Sequence, residues 1–102
     1  MATSAEWHED YARMSEEVLN FSRAVKSVQE ELEAVDWYNQ RAQATKDEHL
    51  RKILEHNRDE EIEHAMMGLE YLRRMNPVFH KHMRTYLFTE GEITAIEEQA
   101  ED

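Results

Sequence analysis

The sequence predicts an all-α fold: two long helices in an antiparallel hairpin, short C-terminal helices, and two hairpins pairing into a four-helix bundle. Three observations carry this expectation. Only 2 Gly and 1 Pro occur in 102 residues, so few points can support tight turns. Helix-favouring Glu, Ala, Leu, Lys, Arg, Gln and Met are abundant. The apolar residues from Trp7 onward recur every 3.5 positions, the spacing of a helix packed along a seam.

The first helix is expected over about 7–43. Its seam runs Trp7, Tyr11, Met14, Val18, Phe21, Val25, Val28, Leu32 and Val35, then Asn39 and Ala42. The first plausible break is Ala44-Thr45-Lys46-Asp47, where Thr45 and Glu48 have the spacing of a capping box. A second helix follows over about 46–75 and stops before Asn76-Pro77, because Pro disfavours helix in the residue before it. A short helix is expected over 78–88. Thr89 and Glu92 then form a possible capping box for a last helix over 92–100. No linker or internal repeat divides the chain, so residues 1–102 are expected to be one domain. A lone hairpin would leave an apolar stripe in water, which a second copy can cover.

Composition bounds the function. The formal net charge is -11, with 23 Asp+Glu against 12 Lys+Arg, which disfavours nucleic acid and favours cations near the surface. Cys is absent, which removes thiolate sites and leaves carboxylates and imidazoles as the strong metal ligands. No stretch has the length and apolarity of a membrane span, and the N-terminus does not read as a signal peptide. A soluble cytoplasmic protein without a membrane partner is the expectation.

The second helix carries the chemical signal. Continuing the seam through Leu50 and Leu54 gives Asn57, Glu61, His64 and Gly68 before Tyr71 and Met75. Four successive core-line positions are therefore polar or tiny. Leu50, Leu54, Ala65 and Leu72 fall within about 40° of Glu61 at about 100° per residue, so Glu61 points into the apolar face. A carboxylate there is unfavourable unless a cation or donor meets it. Glu61-Ile62-Glu63-His64 is a Glu-x-x-His sequence, and about one such match is expected by chance in so acidic a chain. Its weight comes from lying on the core line. The first helix offers Glu31 beside the seam, with Tyr38 one heptad on, while Glu30 and Glu33 point outward. Di-iron four-helix bundles take one Glu from each of two helices and a Glu-x-x-His from each of the other two. One chain supplies one of each, and two chains supply the set.

Three motifs resemble the encapsulated ferritins. Gln29-Glu30-Glu31-Leu32-Glu33-Ala34-Val35-Asp36-Trp37-Tyr38-Asn39-Gln40-Arg41 is similar to that family's first-helix motif, and Leu54-Glu55-His56-Asn57-Arg58-Asp59-Glu60-Glu61-Ile62-Glu63-His64 to its second. Arg84-Thr85-Tyr86-Leu87-Phe88-Thr89-Glu90-Gly91 with Ile93-Thr94-Ala95-Ile96-Glu97 resembles its C-terminal segment. The resemblance implies a ferritin-like bundle and a ferroxidase that oxidises Fe2+ at a di-iron site shared by two subunits. The implied ligands are Glu31, Glu61 and His64, with outer metal sites at Glu30 and Glu33 that Ca or Zn could occupy. Trp37 and Tyr38 are implied near the centre. The implied assembly is a homodimer, a ring of five dimers, and residence inside an encapsulin shell that stores the iron. A shell-docking C-terminal tail is usual in the family, and this sequence ends at Ala100-Glu101-Asp102.

Read from the residues alone, two other accounts stay open. A metal-free structural hairpin explains the first helix but not the polar interruption of the second. A metal-binding module without turnover shares every ligand. His80 and His82, two apart, cannot share a helical face and are expected at the surface, and His8, His49 and His56 have no partner pattern.

Overall fold

The computed structural model describes residues 7–100. Its elements are α1 (Glu16–Ala44), α2 (Glu48–Met75), α3 (Pro77–Tyr86) and α4 (Ile93–Ala100), preceded by a 3-10 turn at Tyr11–Arg13. The described residues form no strand, as the all-α expectation requires.

The first helix begins at Glu16 and not at Trp7. Two side chains compete with the backbone for the amides of residues 10–18. Asp10 accepts from Ala12 N at 3.0 Å, and Ser15 accepts from Val18 N at 3.2 Å. Such caps start helices, and two in succession split the predicted one into a 3-10 turn and α1. Trp7 and Tyr11, read as the first seam residues, instead pack edge to face 5.5 Å apart.

The turn between the long helices is held from both sides. Asp47, not Thr45, caps α2, accepting from His49 N at 2.9 Å and Leu50 N at 3.1 Å, while Thr45 Oγ1 receives the Asp47 N–H. Asp47 is two residues nearer the helix start and carries a full charge for its dipole. Arg51 reaches back to donate to the Ala42 and Thr45 carbonyls, which end α1 without helical partners.

Asn76 ends α2 and also caps α3, its Oδ1 accepting from Val78 N at 2.8 Å and Phe79 N at 3.3 Å. Pro77 takes the first position of α3, where a missing N–H costs nothing. The helix stops at Tyr86, two residues short of the expected Phe88, because Phe88 adopts φ 61°, the left-handed region. Thr89 Oγ1 donates to Tyr86 O at 2.6 Å and closes the end of α3. It therefore does not form the expected box with Glu92, whose carbonyl accepts the first amides of α4.

Packing is concentrated between α1 and α2. Among the described residues Leu19, Val28, Ala42, Ala65 and Leu72 are the buried apolar ones, and no polar residue is fully buried. Gly68 marks a close approach of the two helices: a Cβ there would lie 2.5 Å from Val28 Cγ2. Phe79 of α3 meets Phe21 of α1 edge to face at 6.0 Å.

The chain is open for its size. The radius of gyration is 17.7 Å, against about 13 Å for a compact domain of this length. The accessible surface is 8461 Å², whereas a compact monomer of this mass would expose about 6,100 Å². Leu32, Trp37, Ile53, Ile62, Met66, Met67 and Tyr71 are all exposed along the two long helices.

Candidate metal centre

The predicted ligands come together on one edge of the hairpin. His64 Nδ1 lies 3.6 Å from Glu61 Oε2 and 3.7 Å from Glu31 Oε2, and one donor atom from each of the three falls within 4.8 Å of the others. Glu61 and His64 share a face because three helical residues turn about 300°. Glu31 arrives from the opposing helix.

Its arrival corrects one detail of the sequence reading. The 3.5-residue seam puts Leu32 inward and Glu31 on the flank. In the structure Leu32 is 50% exposed while the Glu31 side chain is 30% exposed. The stripe of α1 that faces α2 runs Ala24, Val28, Glu31, Val35, Tyr38 and Ala42, all buried or half-buried. A straight helix has 3.6 residues per turn, so a strict 3.5 pattern drifts off any one neighbour by about 20° per heptad. The apolar seam therefore serves two directions, and Glu31 belongs to the inner one.

The trio sits half-open. Side-chain exposures of 24% for Glu61, 30% for Glu31 and 42% for His64 mean that each keeps a path to solvent or to another molecule. Two partly desolvated carboxylates face a single imidazole, which carries at most one positive charge. A divalent cation supplies two. Donors 3.6–3.7 Å apart need to close by only a few tenths of an ångström to share one ion held at about 2.1 Å, where adjacent donors stand about 3.0–3.4 Å apart. Carboxylate oxygen and imidazole nitrogen suit iron, zinc and manganese. The residues present fit a metal.

The other predicted residues do not belong to the trio. Tyr38 is half-buried on the Glu31 stripe, with the Arg41 guanidinium 5.4 Å from its ring centroid. Trp37 is 50% exposed. Glu30 and Glu33 are exposed and belong to neither potential ligand group found among the described residues.

The second group is Glu60, Glu63 and His64. Glu60 Oε2 stands 4.0 Å from His64 Nε2, and Glu60 Oε1 stands 3.5 Å from His56 Nε2. The signal for this contact was the i,i+4 spacing of His56, Glu60 and His64, which stacks them along one face. His56 therefore does have a partner.

His80 also departs from expectation. It is half-buried, and its Nδ1 lies 2.7 Å from Arg73 Nη1, joining α2 to α3. Arg73 grips both oxygens of Glu70 at 2.6 Å, and Arg74 adds a third contact at 2.7 Å. These hydrogen bonds from Arg73 and then Arg74 hold the Glu70 carboxyl down at about 2. His82, in contrast, is exposed as expected.

With this geometry in place, relatedness decides the family. The family model described as EncFtn-like matches residues 6–90. This chain belongs to the EncFtn-like family. It is 60% identical over 90 residues to an encapsulated ferritin-like protein of Rhodospirillum rubrum, covering 88% of this chain and 64% of that relative. It is 54% identical over 94 residues to a ferritin-like protein of Thermotoga maritima, covering 92% of this chain and 82% of that one. A crystal structure of a Nitrosomonas europaea protein superposes with a TM-score of 0.83 at 52% identity, covering 85% of this chain and 96% of that one. The fold of this chain is therefore one seen in a crystal structure of a protein 52% identical to it. No helix among the described residues is long and apolar enough to cross a membrane.

Proposed function

We propose that this EncFtn-like chain is a ferroxidase, which oxidises Fe2+ to Fe3+ at a site assembled from Glu31, Glu61 and His64 of two copies. The single observation that carries this reading is the convergence of those three side chains on an open edge of the hairpin. Fe2+ is the substrate. Each ion gives one electron to dioxygen, and the carboxylates compensate the added positive charge of the product.

Two features support a shared site. Each chain offers three donors with one side open, fewer than an octahedral ion takes. The excess surface of about 2,400 Å² over a compact monomer is larger than a subunit's usual share of an interface, so pairing has ample area to bury. A homodimer, extended to a ring of five dimers, is the assembly we assign. Glu30 and Glu33, exposed beside Glu31, are assigned as outer sites where iron passes and Ca or Zn competes. Tyr38 is assigned a place beside the centre, and Tyr38→Phe tests whether its hydroxyl takes part. Delivery of the oxidised iron into an encapsulin shell is the destination we assign, a reading that the description of the Rhodospirillum relative as encapsulated supports.

Stopped-flow absorbance on mixing Fe2+ with the aerated protein tests the activity. Rapid oxygen-dependent formation of ferric product is expected, with loss in Glu31→Ala, Glu61→Ala and His64→Ala. Wild-type rates in those variants would refute the site. Fe2+ binding without oxygen consumption would leave a binding module in place of the enzyme.

A further inference from the structure

His64 has two ring nitrogens with different surroundings. Nδ1 faces Glu31 and Glu61, whereas Nε2 points away from them toward Glu60 Oε2 at 4.0 Å. We propose that Glu60 is the hydrogen-bond acceptor that sets the tautomer and ring orientation of His64, so that Nδ1 presents its lone pair to metal. This inference rests on the metal reading of the trio and adds a positioning residue to it.

The argument is one of proton placement. A neutral imidazole carries its proton on one nitrogen only, and the other is the ligand. If Nδ1 binds metal, Nε2 must hold the proton, and a buried or half-buried N–H needs an acceptor. Glu60 makes its nearest approach to the ring at Nε2, whereas Glu31 and Glu61 make theirs at Nδ1. Glu60 lies one turn before His64 on the same helical face, and its carboxylate must close the 4.0 Å gap when metal binds. Its other oxygen is already engaged by His56 Nε2 at 3.5 Å, again one turn away. The stripe His56, Glu60 and His64 thus holds the carboxylate between two rings. Histidine ligands in metal sites generally donate their second N–H to such a partner, and losing it typically weakens metal binding 10–100-fold.

A rival account makes Glu60 a ligand of a separate outer ion together with Glu63, using Nε2 itself. A second rival makes Glu60 only a source of negative charge. The experiment separates all three. Co2+ is titrated into the full chain and followed by its visible absorption, for wild type, Glu60→Ala, Glu60→Gln and Asp59→Ala. Nitrogen-15 spectra of the Zn2+-loaded protein report which ring nitrogen of His64 is metal-bound.

The expected result is roughly 10–100-fold weaker Co2+ binding in Glu60→Ala. Glu60→Gln, whose amide oxygen still accepts a hydrogen bond, should recover most of that loss despite lacking the charge. Asp59→Ala, which removes the same charge from the neighbouring position, should bind as wild type. The spectra should show Nδ1 as the metal-bound nitrogen. Three results would overturn the proposal: Glu60→Ala binding as tightly as wild type, Glu60→Gln failing as badly as Glu60→Ala, or metal on Nε2. Saturable binding by wild type with any of these removes the role of Glu60 alone. No saturable binding by wild type would remove the metal reading as well.

Discussion

Replacing Gly68 by Ala tests whether the close contact between Gly68 and Val28 sets the geometry of the candidate site. In an exposed helix this change is stabilising by about 1 kcal/mol, because Gly is the poorer helix former. Here the new Cβ would sit 2.5 Å from Val28 Cγ2. Val28 is buried, and its branched side chain is stiff in a helix, so it cannot swing aside cheaply. Overpacking of this kind costs about 1–3 kcal/mol. The two effects leave Gly68→Ala destabilised by about 0–2 kcal/mol, where an open helix would gain. Val28→Ala alone should also destabilise, by about 1–3 kcal/mol, through the lost packing. Together they should be less harmful than their sum, because the methyl at 68 enters the space the valine leaves, with a coupling of about 1–2 kcal/mol. Urea denaturation at one fixed protein concentration measures all three, since pairing of copies makes apparent stability depend on concentration. The contact lies one turn from His64 on α2 and one turn from Glu31 on α1, so forcing the helices apart there also separates the carboxylates. Metal affinity measured by Co2+ titration should therefore fall in Gly68→Ala and return in the double variant. A Gly68→Ala protein that is more stable than wild type and binds metal equally would refute this account of the helix spacing.

Other perturbations reach different parts of the molecule. Leu32→Glu should leave the chain helical by circular dichroism but reduce its mass in sedimentation toward that of one copy, because Leu32 is half-exposed in the single chain and adds little to the hairpin's own core. Unchanged mass would place the pairing surface elsewhere. The Glu70 carboxyl is held at about 2, below its ordinary 4.5, by hydrogen bonds from Arg73 and Arg74. A depressed folded value contributes stability that is complete above about 4.5 and fades as pH falls toward 2. Hydrogen exchange of α3 amides should accelerate over that window in wild type, and Glu70→Gln should flatten the dependence. Asp47→Ala removes the cap that receives His49 N and Leu50 N, and should cost about 1 kcal/mol in urea denaturation.

Much of the site was legible from spacing alone. Glu61 and His64 share a face because the helix repeats at 3.6 residues, and their place on a core line singled them out from the many other acidic residues. The stop of α2 before Asn76-Pro77 was equally readable, since proline restricts its predecessor wherever it stands. Both are local rules, in which the residue and its immediate neighbours hold the whole cause.

What local rules left undecided was every choice among competitors. Ser15 and Asp10 could have been ordinary helix residues, and only their hydrogen bonds to Val18 N and Ala12 N show that they cap and divide the segment. Asp47 and Thr45 both had capping chemistry, and the turn geometry selected the aspartate. Glu31 and Leu32 both adjoined the seam, and the rotation of α1 against α2 decided which one faces inward. That rotation depends on how two helices fit, down to a glycine opposite a valine, and a periodic pattern is degenerate with respect to it. The sequence by itself determined that this chain makes long amphipathic helices with a carboxylate and an imidazole on the inner face of the second. Only the tertiary structure decided that Glu31 meets them, because contacts between helices depend on axial rotation and side-chain direction, which residue order alone does not specify.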